Sequence, residues 1–462
     1  MAFRRVARRR PETPYQRFAG DYPAFIERLA TLRRYRDGEL ANLAAAHGRE
    51  RRDLVRKLLH SRELFVLYAF EGMKGAKRLA DATPDTVNDL AHSCTLFAQT
   101  RGEPIVAREV DKGSGKRIVQ DFGPRRRMQQ ALVADILRHL HPPLEQQFLF
   151  RGGMPMAFAV IEDAYRLGHR FGVEVDFIDF YGSVRLEWLA ELLRPLPEAV
   201  VEHVVWDMAM HDAHSGIMAS RDNVPALSVP KGLSLGASTS PIVGERIIGE
   251  ILTVAQVGAV ITYADNLFVN GPTEQAVDVR IHRVRESIAQ LDFGALRLRV
   301  NGHALTDLEG RGPHDMSRPI FFLKQEGRVI GDKIAWSPGT SKLNQYMASA
   351  AEHLSMAQIS AVERKIRHWR RSYADWVEGD KYEAEYLATL AVRRYYLDQS
   401  RPNLSAAIHA VVIAWIGWGQ FRGLDEFVPT EGDIRCELRE PLLAEIRGWL
   451  DRSFDRQEAS AA

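Results

Sequence analysis

Apolar residues recur every three or four positions in the early part of the chain, which is the spacing of one face of an α-helix. The series runs through Ile26, Leu29, Leu32, Leu54, Leu58, Leu64 and Leu67. No glycine-rich linker interrupts this part of the chain before Arg101-Gly102. We therefore predict that residues 1–100 comprise a basic arm followed by a helical N-terminal region.

The pattern changes after residue 103, where strand-forming residues replace the helical spacing. Residues 104–110 and 116–120 have the composition of two strands, and the segment between them contains Gly113 and Gly115. A helical pattern then returns over residues 126–140. We predict a β-hairpin followed by a helix.

A second strand-forming segment covers residues 171–180, which are rich in aromatic and β-branched side chains. Ser183 follows it, and serine is a favourable N-cap. We predict a buried strand that ends close to a helix beginning at Ser183, so that Asp176 and Tyr181 lie near the strand end.

Two apolar runs flank a short polar segment within residues 259–269. The segment is Tyr263-Ala264-Asp265-Asn266, and its last two residues are suited to a tight turn. Asparagine also tolerates the positive φ that hairpin tips require. We predict a β-hairpin with Asp265 and Asn266 at its tip.

The last part of the chain, residues 341–462, again favours helices, with breaks at Arg401-Pro402-Asn403 and near Pro429. The strand patterns lie in the centre of the chain and the helical patterns lie on both sides of it. The sequence therefore predicts an α+β fold flanked by two helical regions.

Composition narrows the class of protein. The chain has 462 residues, of which 45% are hydrophobic and 26% charged, as in an ordinary globular protein of more than one structural unit. No apolar run reaches the roughly 18 residues of a membrane span. Cys94 and Cys436 are far apart and without a CxxC partner, which argues against a disulfide framework or a cysteine zinc site. We expect a soluble cytoplasmic protein that does not contact a membrane.

The net charge is only +2, but the basic residues are concentrated near the start. They are Arg4, Arg5, Arg8, Arg9, Arg10, Arg33, Arg34, Arg36, Arg49, Arg51, Arg52, Arg56 and Lys57. A phosphate-binding face and a solvated helix surface both account for residues 33–57. For the first residues, the nearby acids and prolines favour a disordered basic arm over a transit peptide.

Phosphoryl transfer with two metal ions needs two carboxylates from different strands, cations for the phosphates and a loop that approaches the substrate closely. Asp176 and Asp265 supply the carboxylates. Gly232 and Gly236 lie between them in the chain and have no Cβ to block an approach. Taken singly, each aspartate is more simply a turn or capping residue. Their combination predicts a nucleotidyl-transfer site.

The order of these segments resembles that of prokaryotic reverse transcriptases, in the lineage of group II intron, retron and phage-defence enzymes. The matching segments are Gly115-Lys116-Arg117-Ile118, Arg127-Met128-Gln129-Gln130, Phe148-Leu149-Phe150-Arg151-Gly152, Asp176 with Phe180-Tyr181, Gly232-Leu233 with Gly236 and Ser240-Pro241, and Tyr263-Ala264-Asp265. The resemblance covers residues 101–325. It implies a right-hand polymerase fold with fingers at 101–170, a palm with finger elements at 171–325, and a helical thumb and C-terminal region at 326–462.

The resemblance also implies roles for individual residues. Asp176, Asp265 and the backbone carbonyl of Phe177 would bind Mg²⁺, or Mn²⁺ in its place, and Asn266 would complete the catalytic set. The implied nucleotide-binding residues are Lys116, Arg117, Phe177, Tyr181, Leu235 and Gly236, with Tyr181 excluding a 2′-hydroxyl. The implied template and primer contacts are Arg127, Arg151, Gly232 and Tyr263.

The chain departs from the family pattern at several positions. Asn266 stands where the family has a second aspartate. Losing a unit charge about 4 Å from a cation removes roughly 4 kcal/mol per cation charge at an effective dielectric near 20, before solvent compensates. The amide oxygen of Asn266 still offers a ligand or a hydrogen-bond acceptor.

Leu235 occupies the place of the family's usual glutamine. The family's lysine after the hairpin has no counterpart except Arg297 or Arg299. Phe321-Phe322-Leu323-Lys324 is the candidate for the primer-grip strand. These three positions predict altered contacts to the nucleotide and the primer.

The function implied by the resemblance is RNA-directed DNA polymerisation by a stand-alone enzyme in bacterial antiphage defence. Expected partners are an RNA template, a DNA or RNA primer, dNTPs, a dedicated noncoding RNA, and a second copy of the chain or a partner defence protein. Two alternatives are a template-independent or protein-primed DNA polymerase on the same fold, and a non-catalytic scaffold that binds nucleic acid.

Two other segments have more than one interpretation. Asp207, His211, Asp212 and His214 have some of the spacing of a metal site, but surface histidines are the simpler explanation. Residues 364–376 and 393–396 mix cations with aromatic rings. Such a surface is typical of a thumb that follows nucleic acid, and equally of an amphipathic helix with extended arginines.

Overall fold

The computed structural model describes most of the chain before residue 308 and a short part after it. The described residues are 13–111, 116–207, 218–220, 232–300, 306–307, 320–330 and 333–338. The chain divides into two compact units, Met1–Asp307 and Leu308–Ala462. The predicted basic arm, the predicted turn at 112–115, His211, Asp212, His214 and the predicted helices after 340 lie outside the described residues.

The N-terminal part of the first unit is helical, as predicted. Its helices are α1 (Pro14–Asp21), α2 (Pro23–Ala45), α3 (Gly48–Leu59), α4 (Arg62–Gly75) and α5 (Pro84–Ser93), with a 3₁₀ turn at Leu79–Asp81. The side-chain oxygens of Thr13, Ser61 and Thr83 accept backbone N–H groups at the starts of α1, α4 and α5. Leu29, Leu58 and Leu67 from the predicted helical series are fully buried.

A β-hairpin follows this helical region. Strands β1 (Ile105–Asp111) and β2 (Lys116–Asp121) pair antiparallel, as predicted. Helix α6 (Pro124–Leu140) begins two positions before the predicted range, and Pro124 occupies its first turn, where proline is tolerated. Helix α7 (Gly153–Arg166) leads from there to the central sheet.

The central sheet contains β3 (Phe171–Phe177), which ends three residues earlier than predicted. The N–H of Ile178 donates to the carbonyl of Arg297, and the chain then leaves the sheet at Asp179, where φ is 45°. The predicted helix start at Ser183 is wrong. Ser183 is the last residue of a one-turn helix, α8 (Phe180–Ser183), because the turn at Asp179 starts that helix earlier.

Short helical segments follow α8 in the chain. They are a 3₁₀ turn at Leu186–Trp188, α9 (Leu189–Leu192), α10 (Glu198–Val200) and a π-helical turn at Val201–Val205. Strand β4 (Met218–Ser220) pairs parallel to β1. Helix α11 (Ser240–Ala255) then precedes the predicted hairpin, which consists of β5 (Val260–Tyr263) and β6 (Asn266–Gly271).

The sheet order is β5-β6-β3-β7, all antiparallel, with β7 at Leu298–Val300 and β8 (Thr306–Asp307) paired to the start of β3. Helix α12 (Glu274–Leu291) packs on β3 and β6, and α7 packs on β5. The buried sheet residues Val175 and Leu267 join a core that also includes Ile247 of α11. The first unit is therefore an α+β assembly.

The described part of the second unit is a three-stranded sheet of order β11-β10-β9. Its strands are β9 (Ile320–Phe322), β10 (Gln325–Ile330) and β11 (Lys333–Pro338). Leu323 and Lys324 join β9 to β10 with φ values of 52° and 65°, which is the backbone of a type I′ hairpin turn. The candidate primer-grip segment is thus a strand end and a tight turn.

No helix within the described ranges combines the length and the apolar character needed to cross a membrane.

Candidate catalytic site

The hairpin β5–β6 has its tip at Ala264 and Asp265. Ala264 is the residue with positive φ, at 52°, whereas Asn266 is the first residue of β6 and pairs with Tyr263. The prediction that Asn266 lies at the tip is therefore wrong. A two-residue turn needs only residues 264 and 265 between paired strands, so Asn266 takes an extended conformation.

Pairing in the sheet aligns four of the relevant side chains in one row. Asn266 of β6 is opposite Tyr263 on one side and Asp176 on the other. Asp176 of β3 is in turn opposite Arg299 of β7. Directly opposed residues in antiparallel strands place their Cβ atoms about 4.5–5.5 Å apart on the same face. Asp176 therefore lies between an amide and a guanidinium.

Arg299 forms an ion pair with Asp176. Its Nη2 donates to Asp176 Oδ2 at 2.9 Å. The Asp176 side chain is 23% exposed and the Arg299 side chain 59%. Water reaches both groups, so the pair resembles a surface salt bridge, which typically contributes about 0–1 kcal/mol. Arg299 is held in place by strand register more than by the energy of the contact.

A backbone hydrogen bond fastens the hairpin tip to the end of β3. The N–H of Phe177 donates to the carbonyl oxygen of Asp265 at 3.3 Å. The Phe177 ring is buried and packs against Phe180 with ring centroids 5.1 Å apart. The structure thus places Asp176 and Asp265 at the same end of neighbouring strands, although they are far apart in sequence.

Glu245, a buried acid beside the hairpin, is not among the site residues that the sequence motifs predict. It belongs to α11, is 4% exposed, and its Oε1 accepts the N–H of Ala264 at 3.2 Å. Its Oε2 has no hydrogen-bond partner among the described residues. Burial raises the pKa of Glu245 to about 8, and the bond from Ala264 acts in the opposite direction.

A pattern in the sequence does single out Glu245. It is a lone acid among apolar helix positions, which are Ile242, Val243, Ile247, Ile248 and Ile251. Glutamate is rarely buried without a partner, so an acid in the apolar stripe of a helix indicates a specific contact. Here Glu245 contacts Ala264, the residue of the hairpin turn that has a positive φ.

Gly232 brings its loop against Tyr181. A Cβ on Gly232 would lie 2.1 Å from the Tyr181 carbonyl oxygen, and the N–H of Leu233 donates to the same oxygen at 2.8 Å. On the other side of Tyr181, a Cβ on Gly244 of α11 would lie 3.7 Å from the Tyr181 hydroxyl. Tyr181 is thus held between the glycine loop and α11.

Gly236 brings the same loop against β2. Its φ is 121°, and a Cβ there would lie 2.1 Å from the Gln120 carbonyl oxygen. The Gln120 N–H donates to the Leu235 carbonyl at 2.7 Å, and the Ser234 hydroxyl donates to Gln120 Oε1 at 3.1 Å. The close approach predicted for both glycines is made to the protein's own backbone, and contact with a substrate stays a prediction.

Lys116 and Arg117 lie at the opposite end of β2 from Gln120. At about 3.4 Å per residue, three to four positions correspond to about 10–14 Å along the strand. Their backbone is described as part of β2, where Lys116 pairs with Asp111 and Arg117 with Val110. Their predicted contact with phosphates is untested.

The two predicted template or primer arginines have different surroundings. Arg127 donates to the carbonyl of Phe122 at 2.8 Å and to Asp121 Oδ1 at 2.6 Å. Its side chain therefore braces the end of β2. Arg151 is exposed, three residues after the point where Phe148 donates its N–H to Thr262 of β5. Arg151 is thus the more accessible of the two.

The oxygen donors at the hairpin suit a hard cation such as Mg²⁺ or Mn²⁺. They are the carboxylates of Asp176 and Asp265, the amide oxygen of Asn266 and the carbonyl of Phe177. The Arg299 guanidinium shows that the Asp176 carboxylate already accepts a cation. Within the described residues, no group of three or more His, Cys, Asp or Glu side chains forms a metal-binding cluster. These four oxygen donors fit a divalent metal ion, and two of them are carboxylates.

The alternative metal site near Asp207 is occupied by a protein cation. Asp207 Oδ2 accepts Arg126 Nε at 2.6 Å, and the two side chains are 3% and 1% exposed. Arg126 also donates to the carbonyls of Thr100 and Glu103. Asp207 thus belongs to a buried structural network, and its predicted neighbours His211, Asp212 and His214 lie outside the described residues.

Several basic residues of the 33–57 stretch form ion pairs on the helical surface. Arg33 pairs with Glu71 and Lys57 with Glu39, each at 2.6 Å. The other pairs are Arg36 with Asp37 and Asp135, and Arg49 and Arg56 with Asp53. These acids neutralise part of the positive charge of the candidate phosphate-binding face.

Comparison with known proteins gives little further information. No protein-family model matches the chain, and no curated protein matches it either. A solved structure that matches is a telomerase from Candida albicans in complex with a TWJ fragment of telomeric RNA. The match has 10% identity and a TM-score of 0.35, and covers 71% of this chain and 66% of that one, just under two thirds. So low a score does not establish a shared fold.

Proposed function

We propose that this protein is an RNA-directed DNA polymerase that joins deoxynucleotides at the β5–β6 hairpin. The observation that carries the proposal is the sheet register. It puts Asp176 opposite Asn266, while Phe177 holds the turn that contains Asp265. An acid near the end of β3 and an acid in the neighbouring hairpin turn thereby lie at the same end of the sheet, an arrangement that supports two-metal nucleotidyl transfer.

In this proposal Asp176 and Asp265 would hold the metal ions, with the Phe177 carbonyl and the Asn266 amide oxygen as weaker donors. Bound there, the ions would supply positive charge to acidify the primer 3′-hydroxyl and to neutralise charge on the transferred phosphate. Glu245 fixes the Ala264 N–H, and so orients the turn from which the Asp265 side chain projects.

The nucleotide would lie against the surface that the glycine loop and β2 form together. Tyr181, held through its carbonyl by Leu233, would pack beneath the sugar and exclude a ribonucleotide. Leu235 and Gly236 would face the incoming base, and Lys116 and Arg117 would bind its phosphates. Gly232, Tyr263, Arg127 and Arg151 would contact the template and primer.

The test is metal-dependent DNA synthesis by the full chain. The purified protein is given dNTPs, Mg²⁺ or Mn²⁺, and either its co-purifying RNA or a supplied RNA template and DNA primer. Asp176→Ala and Asp265→Ala should each abolish product. Asp278→Ala removes an exposed acid from α12 and should leave synthesis intact. Absence of product with every template and primer would refute the proposal.

Sequencing the product separates this proposal from the related polymerase alternatives. A product complementary to the RNA supports copying. A product without template complementarity indicates template-independent synthesis, and a product attached to the protein indicates protein priming.

Tyr181→Ala tests the nature of the product. The smaller side chain should raise incorporation of ribonucleotides relative to deoxyribonucleotides. An active variant with an unchanged ratio would contradict the role of Tyr181.

One observation favours a second candidate, a non-catalytic scaffold that binds nucleic acid. Asn266 lacks the charge of an aspartate and Arg299 neutralises part of the remaining charge, so the site has less negative charge than two metal ions favour. A scaffold would bind RNA without consuming dNTPs. The synthesis assay therefore distinguishes the two.

The proposed setting is the bacterial cytoplasm, in defence against phages. It follows from the motif resemblance alone. Bacteria that express the wild-type chain together with its neighbouring genomic RNA should resist phage infection, and those that express Asp176→Ala should not. Equal plaque formation on both strains across a broad phage panel would remove this part of the proposal.

A further inference from the structure

Arg299 is fixed beside Asp176 by three consecutive pairs between β3 and β7. These pairs are Val175 with Val300, Asp176 with Arg299, and Phe177 with Leu298. A shift of one residue would turn Arg299 to the other face and expose Leu298. The register therefore keeps a guanidinium next to this carboxylate.

The contact uses an oxygen that a metal would also need. Arg299 Nη2 lies 2.9 Å from Asp176 Oδ2. A guanidinium and a divalent cation cannot both bind that oxygen closely without strong mutual repulsion. Since Asn266 is neutral and Glu245 is buried and bound to the Ala264 N–H, the proposed metal-binding carboxylates are Asp176 and Asp265, and Arg299 offsets one of their two charges.

The Arg299 side chain is free to leave. It is 59% exposed, whereas Asp176 is 23% exposed. An exposed arginine exchanges its partner at little energetic cost, and a triphosphate offers it a bidentate anion. The pair is therefore exchangeable.

We infer that Arg299 is a tethered cation that competes with the divalent metal for Asp176, so that metal binds weakly until a nucleotide draws the arginine away. The inference rests on the proposed function and adds a means of regulating the same site. It predicts that metal and nucleotide bind with positive coupling, because the nucleotide phosphates release the Asp176 carboxylate.

The first experiment measures binding of Mn²⁺ alone by electron paramagnetic resonance, without nucleotide or nucleic acid. Arg299→Gln should bind Mn²⁺ about three- to tenfold more tightly than wild type, as expected from loss of one nearby positive charge. Arg299→Lys keeps the charge and should stay within about twofold of wild type.

Arg297→Gln is the matched control. Arg297 has the same charge, lies two positions away in the chain and forms no ion pair with the described residues. Its substitution should change Mn²⁺ affinity less than that of Arg299. Circular dichroism of each variant checks that the sheet is retained, and the lysine variant tests the same idea if the glutamine variant does not fold.

The second experiment measures coupling. A non-hydrolysable dNTP analogue should tighten Mn²⁺ binding to wild type several-fold more than to Arg299→Gln, because only the wild type has an arginine to displace. Because dNTPs already draw the arginine away in the wild type, the Mg²⁺ concentration for half-maximal synthesis should fall in Arg299→Gln by a smaller factor than the Mn²⁺ dissociation constant measured without nucleotide.

Unchanged or weaker Mn²⁺ binding in Arg299→Gln would overturn the inference. If Arg299→Gln loses synthesis but binds Mn²⁺ as the wild type does, the inference is also overturned, and Arg299 would instead bind the phosphates of the nucleotide. Asp176→Asn tests the site itself. If that variant binds Mn²⁺ as wild type does, the proposed function fails together with the inference, which is a different result from a failure of Arg299 alone.

Discussion

Two arginine–aspartate pairs in the first unit have the same chemistry and opposite surroundings. Arg126 and Asp207 are almost completely buried, whereas Arg299 and Asp176 are partly in water. Arg126 also binds two backbone carbonyls, so its guanidinium is held from several directions. Burial makes the first pair a fixed part of the fold. Exposure makes the second pair exchangeable, as the proposed competition with a metal ion requires.

The largest expected effect comes from breaking the buried pair. Asp207→Asn keeps the shape and tolerates the left-handed backbone, where φ is 47°. It removes the closer of the two carboxylates that pair with the buried Arg126 and leaves, among the described residues, only Glu103, whose Oε2 is 3.9 Å from Arg126 Nη1. We expect a loss of about 3 kcal/mol in the free energy of unfolding, measured by urea denaturation.

Asp292→Asn is a close control for that substitution. Asp292 also has φ of 47° and pairs with an arginine, Arg185, but the two side chains are 60% and 51% exposed. The loss there should stay below about 1 kcal/mol. If Asp207→Asn and Asp292→Asn lose the same free energy of unfolding, burial does not explain a difference between the buried and the exposed arginine–aspartate pairs.

Glu245 adds a third case, a buried acid with no cationic partner among the described residues. Its pKa rises from 4.5 to about 8, so the folded protein keeps a proton that the unfolded chain loses. Stability should therefore fall as pH rises from 4.5 to 8 and level off above that. Glu245→Gln removes this slope and should be more stable than wild type at pH 8 by roughly 2–4 kcal/mol.

The measurement is the free energy of unfolding as a function of pH for wild type and Glu245→Gln. Glu250→Gln changes a more exposed acid on the same helix and controls for the loss of a carboxylate in general. Parallel pH profiles for wild type and Glu245→Gln would contradict the assignment of the slope to Glu245.

Asn266→Asp sharpens the comparison at the exposed pair, because it adds a second carboxylate next to Asp176. The added charge should tighten Mn²⁺ binding about tenfold, or about 1.4 kcal/mol. It should preserve or increase Mg²⁺-dependent synthesis. A variant that binds metal more tightly and still makes no DNA would favour the scaffold.

The smallest effect is expected for stability when the exposed pair is removed. Arg299→Gln should change the free energy of unfolding by less than about 1 kcal/mol, and the difference should shrink further in 1 M salt because ions screen exposed charges. A loss as large as that of Asp207→Asn would mean that the Asp176 pair is also structural.

Local sequence patterns are sufficient to predict part of this site. Asp176 lies in a segment of β-branched and aromatic residues, and Asp265 lies between two apolar runs, so a strand and a hairpin were predictable. The tip was misplaced by one residue. The composition of Ala264-Asp265-Asn266 favours Asn266 for a positive φ, whereas strand pairing assigns it to Ala264.

The remaining contacts depend on pairing between distant segments. Arg299 was visible as a basic residue, but only the β3–β7 register shows that it opposes Asp176. The same is true of Arg126 and Asp207, whose elements meet through tertiary packing. Glu245 was recognisable as an acid in an apolar helix, although its partner in the hairpin turn was not.

The bond from Gln120 to Leu235 has a mechanical consequence. With Gly236 in contact with the same residue, the loop and strand β2 have no room to slide past each other. A tilt of the β1–β2 hairpin therefore moves Leu235 in the same direction, because the two segments are joined at Gln120. A force on the far end of β2, where Lys116 and Arg117 lie, is therefore transmitted to Leu235 and Gly236 in the proposed nucleotide site.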